Sequence, residues 1–347
     1  MLTINAAAAN SRIRISVIIP ALNEAEMIGR SLDHLALSDF PPNAFEVIVV
    51  DNGSTDRTRE IASSYVGRLN ISVLLRPGIN ISALRNAGVS EAQGEILAFL
   101  DADCLVPADW LKNAEIHLSN ENAGIVGGSI SIPADSRWPA WAWYGVGYAP
   151  KDATVSYVPS GNMLMRRATF MRLQGFDENL KTSEDWDLCS RGRAAGISIR
   201  AVAAMAVVHL RTPQTLAEFC RRERWHGAHV AKMFQKNVRE LSSLRTVMFA
   251  GYTLACSAAV MAGIAVAFLT RSYGLLAISL AALLAGALAC TLRKVRSVHG
   301  RDFWLSLLPL TVLHIAYGLA RAQALLNVGR NTATQKKVTS AVSGATA

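Results

Sequence analysis

The sequence has little that would stabilise a secreted domain. Its five cysteines are scattered over 347 residues, and no two of them have the spacing of a zinc site or of a redox motif. We therefore expect reduced thiols that pack as small apolar side chains. The first residues are rich in alanine and asparagine and lack an apolar run of signal-peptide length. They predict a short disordered tail, residues 1–12, and no secretion signal.

Acidic residues are almost absent from the last third of the chain. After Glu240 the only one is Asp302, whereas ten lysines and arginines follow, so this part carries a formal charge of +9. That equals the formal net charge of the whole chain, and residues 1–240 therefore sum to zero. With a hydrophobic content of 51%, this asymmetry indicates a neutral front part and a basic, apolar back part.

Long uncharged runs fill the back part. Residues 246–269 form one run, which as a helix would be about 36 Å long, and residues 273–292 form a second. Both are long enough to cross a bilayer. The dense basic loop from Arg293 to Arg301 is then expected in the cytoplasm. This topology predicts a multi-pass protein of the plasma (inner) membrane whose front part is cytoplasmic.

A third apolar run covers about residues 303–326. We expect it to span as well, which would make 246–326 a membrane domain. Lys336 and Lys337 would then lie on the far side, against the charge bias. A helix that lies in the interface or re-enters the membrane is therefore an alternative. The composition of residues 331–347 predicts a disordered tail.

Short apolar strands alternate with helical segments in the front part. Ile71–Leu75 and Ile96–Leu100 are apolar runs of strand length, and residues 82–91 between them have helical periodicity. Strands that alternate with helices predict an α/β fold with a Rossmann-like, mostly parallel sheet. We expect this domain to cover residues 13–240.

Polar side chains follow three strands of the predicted sheet, Ile13–Ile19, Val47–Val50 and Ile96–Leu100, at the edge where ligands of such sheets lie. Asn23 and Asp51 each follow one strand, and Asp101 and Asp103 follow Ile96–Leu100. In an extended chain the last two side chains point to the same side. Two carboxylates at the exit of a buried strand suit a divalent cation that carries phosphate oxygens. A surface turn is the alternative, because aspartate favours turns.

Four motifs, in this order, resemble glycosyltransferase family 2. They are Ser16–Glu24 (SVIIPALNE), Val47–Asp56 (VIVVDNGSTD), Arg85–Gly88 (RNAG) and Phe99–Asp103 (FLDAD). The resemblance covers roughly residues 14–230. It implies a GT-A fold, a nucleotide-diphosphate-sugar donor with a UDP-sugar favoured, and Mg²⁺ or Mn²⁺ as the cofactor.

The resemblance also implies residue roles on the donor side. It places Pro20, Asn23, Glu24 and Asp51 at the nucleotide, Arg85 near the diphosphate, Asp101 by the ribose and metal, and Asp103 on the metal. It also places His209 near the metal or the diphosphate, as a candidate metal ligand, and a purely structural histidine is the alternative.

The acceptor side carries further motifs of the same family. Asp185, within Ser183–Arg191, occupies the place of the catalytic base, which must take a proton from the attacking hydroxyl. An oxocarbenium-like transition state with in-line attack inverts the anomeric centre. The acids of this segment could instead only stabilise a helix N-terminus. The acceptor or diphosphate candidates are Gly161, Asn162, Glu184, Arg224 and Trp225.

Two basic or aromatic segments have alternative interpretations. Residues 213–240 are expected to form basic interfacial helices. Within them Arg224 and Trp225 resemble the family's Gln-x-x-Arg-Trp element without its glutamine, which argues against processive polymerisation. Three tryptophans between Trp138 and Trp143 fit either a packed core corner or a membrane-interface anchor.

These features together predict a membrane-anchored, inverting, metal-dependent glycosyltransferase of polysaccharide biosynthesis with a lipid-linked or other membrane-bound acceptor. A polyprenyl phosphate acceptor, nucleotidyl transfer and an inactive donor-binding scaffold remain alternatives. We expect the bilayer as a partner and no nucleic acid.

Overall fold

The structure is a computed structural model that describes residues 12–119, 124–146, 150–180, 182–227 and 241–344. It does not describe the side chains of residues 241–243 and 328–344. The predicted N-terminal tail, apart from Arg12, and the last part of the predicted interfacial segment, 228–240, lie outside the described residues. The chain divides into two compact units, and the first comprises residues 12–133 and 150–211 of the described chain.

Eleven strands are described, and all of them belong to the first unit. They are β1 (Ile15–Ala21), β2 (Phe45–Asp51), β3 (Ile71–Leu75), β4 (Ile96–Leu100), β5 (Cys104–Leu105), β6 (Ile125–Gly127), β7 (Ile130–Ser131), β8 (Ala153–Thr154), β9 (Asn162–Arg166), β10 (Ile199–Ala201) and β11 (Val207–His209).

Two sheets result from these strands. The large sheet has the order β3-β2-β1-β4-β9-β6-β10-β8, and its first four strands are parallel. The small sheet has the order β5-β11-β7 and starts directly after the Asp101–Asp103 loop. The α/β prediction is thus confirmed. The alternating small and branched residues over 125–132 predict one strand, but β6 joins the large sheet and β7 the small one, with Gly128 and Ser129 between them.

The described α-helices are distributed over both units. They are α1 (Ile28–Ala36), α2 (Thr58–Ser63), α3 (Ile81–Glu91), α4 (Trp110–Leu118), α5 (Trp138–Ala140), α6 (Arg167–Arg172), α7 (Glu184–Ala194), α8 (Leu216–Gly227), α9 (Leu241–Thr270), α10 (Gly274–Lys294) and α11 (Gly300–Gly344).

The core of the first unit lies on both faces of the large sheet. β1, β2 and β4 are buried along their whole lengths, as expected for parallel strands covered by helices on both sides. Val17 and Val47 belong to one cluster of buried apolar residues, and Ile18 and Ile48 belong to the other. These rigid strands fix the positions of the loops that follow their carboxyl ends.

The second unit comprises residues 134–146 and the described residues from 212 onward. Its tryptophan-rich segment therefore groups with the C-terminal helices, whereas the sequence placed it in a 13–240 domain. The reason is apolar packing, since Trp143 lies against Phe219 and Tyr317 with ring centroids 5.0 and 5.4 Å apart. These ring contacts are those expected of a packed core corner.

Three helices of the second unit are long and apolar enough to cross a membrane. They cover Leu244–Thr270, Gly274–Lys294 and Gly300–Asn327. α9 and α10 approach closely, because a Cβ at Gly263 would lie 2.7 Å from Leu276 Cα. α11 continues to Gly344 where the sequence predicts a disordered tail, and no proline follows Pro309 to end it.

Candidate active site

Three neighbouring parallel strands end at the same edge of the large sheet. Asp51 is the last residue of β2, Asn23 lies two residues beyond β1, and Asp101 follows β4 directly. Because these strands lie side by side in the order β2-β1-β4, their loops meet at one edge. The structure thus brings these predicted donor-side residues together.

Asp51 is completely buried at this edge. Its Oδ1 accepts hydrogen bonds from the backbone N–H groups of Gly53 (3.0 Å) and Ser54 (2.9 Å). Within the part of the chain that the structure describes, its buried Oδ2 has no hydrogen-bond partner. One oxygen therefore shapes the turn, and the other is an acceptor that a ligand hydroxyl or amide could satisfy.

Asn23 joins the loop after β1 to the loop after β2. Its backbone N–H donates to Ser54 Oγ (2.9 Å), and its Oδ1 accepts from the N–H of Thr55 (2.9 Å). Its φ of 55° lies in the left-handed region, which is uncommon for a residue other than glycine. Such local strain is typical of functional loops held by surrounding contacts.

Glu24 is paired with an arginine that the sequence analysis did not single out. Arg211 Nη2 donates to Glu24 Oε2 at 2.8 Å. Burial raises the pKa of Glu24 to about 7, Arg211 opposes the shift, and the carboxylates of Asp103 and Asp101 add to it. The only sequence signal for Arg211 was its place two residues after His209.

Asp103 and His209 meet because the small sheet folds back over the loop after β4. The Nε2 of His209 lies 3.5 Å from Asp103 Oδ2, and β11 pairs His209 with Cys104. Donor atoms of these three residues lie within 4.8 Å of one another. Burial raises the pKa of Asp103, and His209 opposes that shift.

This donor set fits a divalent metal ion. Carboxylate oxygen and imidazole nitrogen are ligands that Mn²⁺ accepts. The buried Nδ1 of His209 has no hydrogen-bond partner among the described residues, and Asp101 lies beside the pair. Cys104 is the neighbour of Asp103 in the chain, and its thiol would be a softer donor than the other two.

Arg85 links the donor side to the acceptor side. Its Nη2 donates to Asp101 Oδ1 (2.8 Å) and its Nη1 to Glu184 Oε1 (2.7 Å). Burial opposes its charge, but Asp101, Glu184 and Asp185 raise the pKa of Arg85 on balance. Two of its nitrogens hold carboxylates and fix their positions, and its predicted place near the diphosphate stays a prediction.

Asp185 begins the acceptor side at the start of α7. Its Oδ1 accepts from the N–H of Trp186 (2.7 Å) and its Oδ2 from the N–H of Ser160 (3.3 Å). Burial and the neighbouring Glu184 raise the pKa of Asp185 to about 7. A carboxyl with this pKa is suited to accept a proton near neutral pH. Its place in the first helical turn is compatible with that role.

Ser160 and Gly161 fix the neighbouring carboxylates. Ser160 Oγ donates to Glu184 Oε1 at 3.0 Å. A Cβ at position 161 would lie 2.8 Å from Asp101 Cγ, so only glycine leaves room for that carboxylate. Gly161 thus acts through its lack of a side chain.

Four predicted site residues have other surroundings than the sequence suggested. Asn162 is buried and structural, because its amide accepts from Trp110 Nε1 (3.0 Å) and donates to Met205 O (2.7 Å). Pro20 is buried inside β1, which ends at Ala21, two residues later than predicted. Arg224 and Trp225 belong to the second unit, where Arg224 contacts Gln323 and Trp225 is exposed.

The chain belongs to glycosyl transferase family group 2, whose model matches residues 96–313, more than half of the chain. The model of glycosyl transferase family 2 matches residues 16–173. The predicted family is therefore confirmed.

Two relatives show how far the similarity extends. Glycosyltransferase AglE of Haloferax volcanii is 40% identical over 120 residues, which are 34% of this chain and 40% of that protein. Pre-mycofactocin glycosyltransferase of Mycobacterium tuberculosis is 28% identical over 232 residues, 63% of this chain and 47% of that protein. The chain spans less than half the length of these curated relatives.

A solved structure confirms the GT-A fold. The mannosyltransferase PcManGT from Pyrobaculum calidifontis, in complex with GDP-Man and Mn²⁺, superposes with a TM-score of 0.57 at 21% identity. The superposition covers 90% of this chain and 87% of that one.

Proposed function

We propose that this protein transfers a sugar from a nucleotide-diphosphate-sugar to a membrane-associated acceptor, with inversion at the anomeric carbon. The observation that carries the proposal is the set of acidic residues joined by Arg85. That arginine ties Asp101 on the donor side to Glu184, the neighbour of Asp185. One arginine thus holds a carboxylate beside the candidate metal site and the neighbour of the candidate base.

On the donor side, the free oxygen of Asp51 would accept a hydrogen bond from the base or ribose. Asp103 and His209, with Asp101 beside them, would hold Mn²⁺ or Mg²⁺. When bound, such an ion neutralises negative charge on a leaving diphosphate without a proton. Arg211 adds a positive charge next to Glu24, and charge-assisted contacts of this kind suit phosphate oxygens.

On the acceptor side, Asp185 would remove the proton of the attacking hydroxyl. The two backbone N–H groups that bind its carboxylate fix its orientation, and its raised pKa of about 7 makes it a stronger base than an ordinary aspartate. Attack from the side opposite the diphosphate would produce inversion.

The membrane part would keep the acceptor nearby. We propose that apolar helices of the second unit anchor the protein in the plasma (inner) membrane, with the first unit in the cytoplasm, because the loop between α10 and α11 is strongly basic. A lipid-linked saccharide or polyprenyl phosphate is the acceptor that such an anchor favours. A UDP-sugar is our preferred donor.

A donor panel tests the proposed function. Purified full-length protein in lipid nanodiscs is incubated with UDP- and GDP-sugars, Mn²⁺ and membrane lipid extract, and the released nucleotide is identified. Release of nucleoside diphosphate together with a glycosylated lipid supports the proposal. Pyrophosphate as the product would indicate nucleotidyl transfer, and binding of donors without turnover of any would indicate a scaffold.

A further inference from the structure

Helix α8 is too polar to lie in the hydrocarbon of a bilayer. It carries the run Arg-Arg-Glu-Arg over residues 221–224, in addition to Glu218. Charged side chains are strongly unfavourable at the centre of a membrane, and these occupy more than one face of the helix. α8 therefore marks a level outside the hydrocarbon.

α11 lies along α8 over part of the segment that is apolar enough to span. Arg321 Nη2 donates to Glu223 Oε2 at 2.7 Å, and Arg224 donates to Gln323 at 3.1 Å. A Cβ at Gly227 would meet that of Ala324 at 2.8 Å, so the two helices touch. If α11 crossed from residue 300, residue 321 would be about 32 Å further along the helix. The charges of α8 would then lie beyond the hydrocarbon core.

α9 and α10 form a hairpin, and α11 contacts this hairpin near one end of the hairpin. Thr291 Oγ1 lies 3.0 Å from His314 Nδ1, and the rings of Phe249 and Tyr317 are 6.4 Å apart. A Cβ at Gly318 would touch Thr253. These contacts place the middle of α11 at the end of the hairpin from which both chain connections leave.

Beyond that crossing, the hairpin has the length of a membrane span by itself. From Phe249 to the end of α9 at Thr270 is about 32 Å, and from Thr291 back to the start of α10 is about 26 Å. The hydrocarbon core is about 30 Å thick. The level at which α11 crosses the hairpin thus coincides with the boundary of the hydrocarbon.

Aromatic and basic side chains mark the same level. The ring of Trp143 lies 5.0 Å from that of His314, and Lys294 Nζ donates to the backbone oxygen of Trp143 at 2.6 Å. Tryptophan and tyrosine are enriched at the membrane–water interface, and lysine reaches from helix ends into it.

α11 has one exposed apolar face along this length. Its opposite face is buried against the rest of the unit, for example through Leu313 and Ala320. The exposed apolar residues recur at helical spacing and are Trp304, Leu305, Leu308, Val312, Leu319 and Leu326. A helix with protein on one side and an apolar stripe on the other is suited to lie in the plane of a membrane interface.

We propose that α11 lies in the cytoplasmic surface of the membrane, with its apolar stripe against lipid and α8 behind it, and that only α9 and α10 cross. The proposal rests on the membrane anchoring of the proposed function but not on sugar transfer. It replaces the spanning third helix expected from the sequence. It also keeps Arg330, Lys336 and Lys337 in the cytoplasm, in accord with the charge bias.

Reporter fusions to the full chain test the topology. Alkaline phosphatase, active only outside the cytoplasm, is fused after residue 347 or inserted between Arg271 and Ser272. We expect phosphatase activity from the insertion and none from the C-terminal fusion. A separate fusion of green fluorescent protein to the C-terminus should fluoresce. An active phosphatase at the C-terminus would overturn the inference. An inactive insertion would overturn the anchoring itself, and the inference with it.

Spin labels measure whether α11 lies parallel to the membrane plane. Leu305→Cys and Val312→Cys are labelled separately in a cysteine-free background in nanodiscs, and the depth of each label below the nearer membrane surface is read from oxygen and nickel accessibility. The in-plane helix predicts depths within about 5 Å of each other, whereas a helix that crosses with Gly300–Asn327 predicts that the label at Val312 is about 10 Å deeper than the label at Leu305. Met248→Cys and Met261→Cys on α9 are the matched control, and the label at Met261, near the middle of the span, should be about 15 Å deeper than the label at Met248. A large difference on α11 overturns the proposal even where the C-terminus is cytoplasmic.

Discussion

Replacement of Gly161 by alanine tests how closely the site is built around Asp101. The new Cβ would lie 2.8 Å from Asp101 Cγ, well inside ordinary contact, so the carboxylate must move by roughly 0.6 to 1 Å. That shift would also disturb the 2.8 Å hydrogen bond from Arg85. Because a misplacement of about 1 Å can cost about 100-fold in rate, we expect a loss of between tenfold and 100-fold, roughly, in kcat/KM.

The assay is the rate of nucleoside diphosphate release at saturating Mn²⁺, with thermal unfolding measured in parallel. Gly29→Ala is the matched control, because its Cβ would meet only ordinary contacts at 3.5 and 3.6 Å in the first turns of α1. The control should retain full activity and unfold at the same temperature or slightly higher. A Gly161→Ala protein that folds and works within about threefold of the native rate would refute this account of Asp101.

Three further perturbations address other contacts. Arg85→Lys should lower kcat by about tenfold or more without unfolding the protein, because one ammonium cannot hold Asp101 and Glu184 in the same geometry; steady-state kinetics and a melting curve check this. With a pKa of about 7 for Asp185, kcat/KM should rise with pH up to about 7. The folded state should lose stability as the pH rises from about 4 to about 7, because this group ionises in that range. Thermal melts at several pH values should show that Asp185→Asn removes this loss. Glu223→Gln should destabilise the second unit by about 3 kcal/mol, because it leaves the partly buried Arg321 without its anion. In denaturant unfolding, Glu223→Gln combined with Arg321→Met should recover most of that loss.

The parallel strands and the residues that follow them could be predicted from the sequence. Ile71–Leu75 and Ile96–Leu100 have the predicted bounds, and the edge at which Asp51 and Asp101 meet follows from strand alternation alone. These features are local in the chain or follow from general rules of α/β topology. A short pattern was therefore sufficient to predict them.

Contacts between segments that are distant in the chain could not be predicted from the sequence. Nothing in the local pattern indicates that Arg211 pairs with Glu24, which is 187 residues away, or that Asn162 is held by Trp110 inside the core. Such pairs depend on how segments that are distant in the chain pack against one another. Only the three-dimensional structure shows them.

The C-terminal helices show a different limit of sequence reasoning. Length and hydropathy identify α11 as a candidate span as readily as α9 and α10. They carry no information about the polar helix that packs beside it, and the ion pair between Glu223 and Arg321 is what distinguishes α11 from the hairpin. Hydropathy describes a segment, whereas membrane position also depends on its neighbours.

The most direct test of the central claim separates donor binding from turnover in two variants. Asp103→Asn and Asp185→Asn are compared in the full-length protein for Mn²⁺-dependent binding of the donor nucleotide, by calorimetry, and for release of nucleoside diphosphate. We predict that Asp103→Asn loses both, whereas Asp185→Asn binds the nucleotide with native affinity and releases diphosphate at least 100-fold more slowly, roughly the contribution of a general base. Native turnover by Asp185→Asn, or native Mn²⁺-dependent binding by Asp103→Asn, would contradict the account.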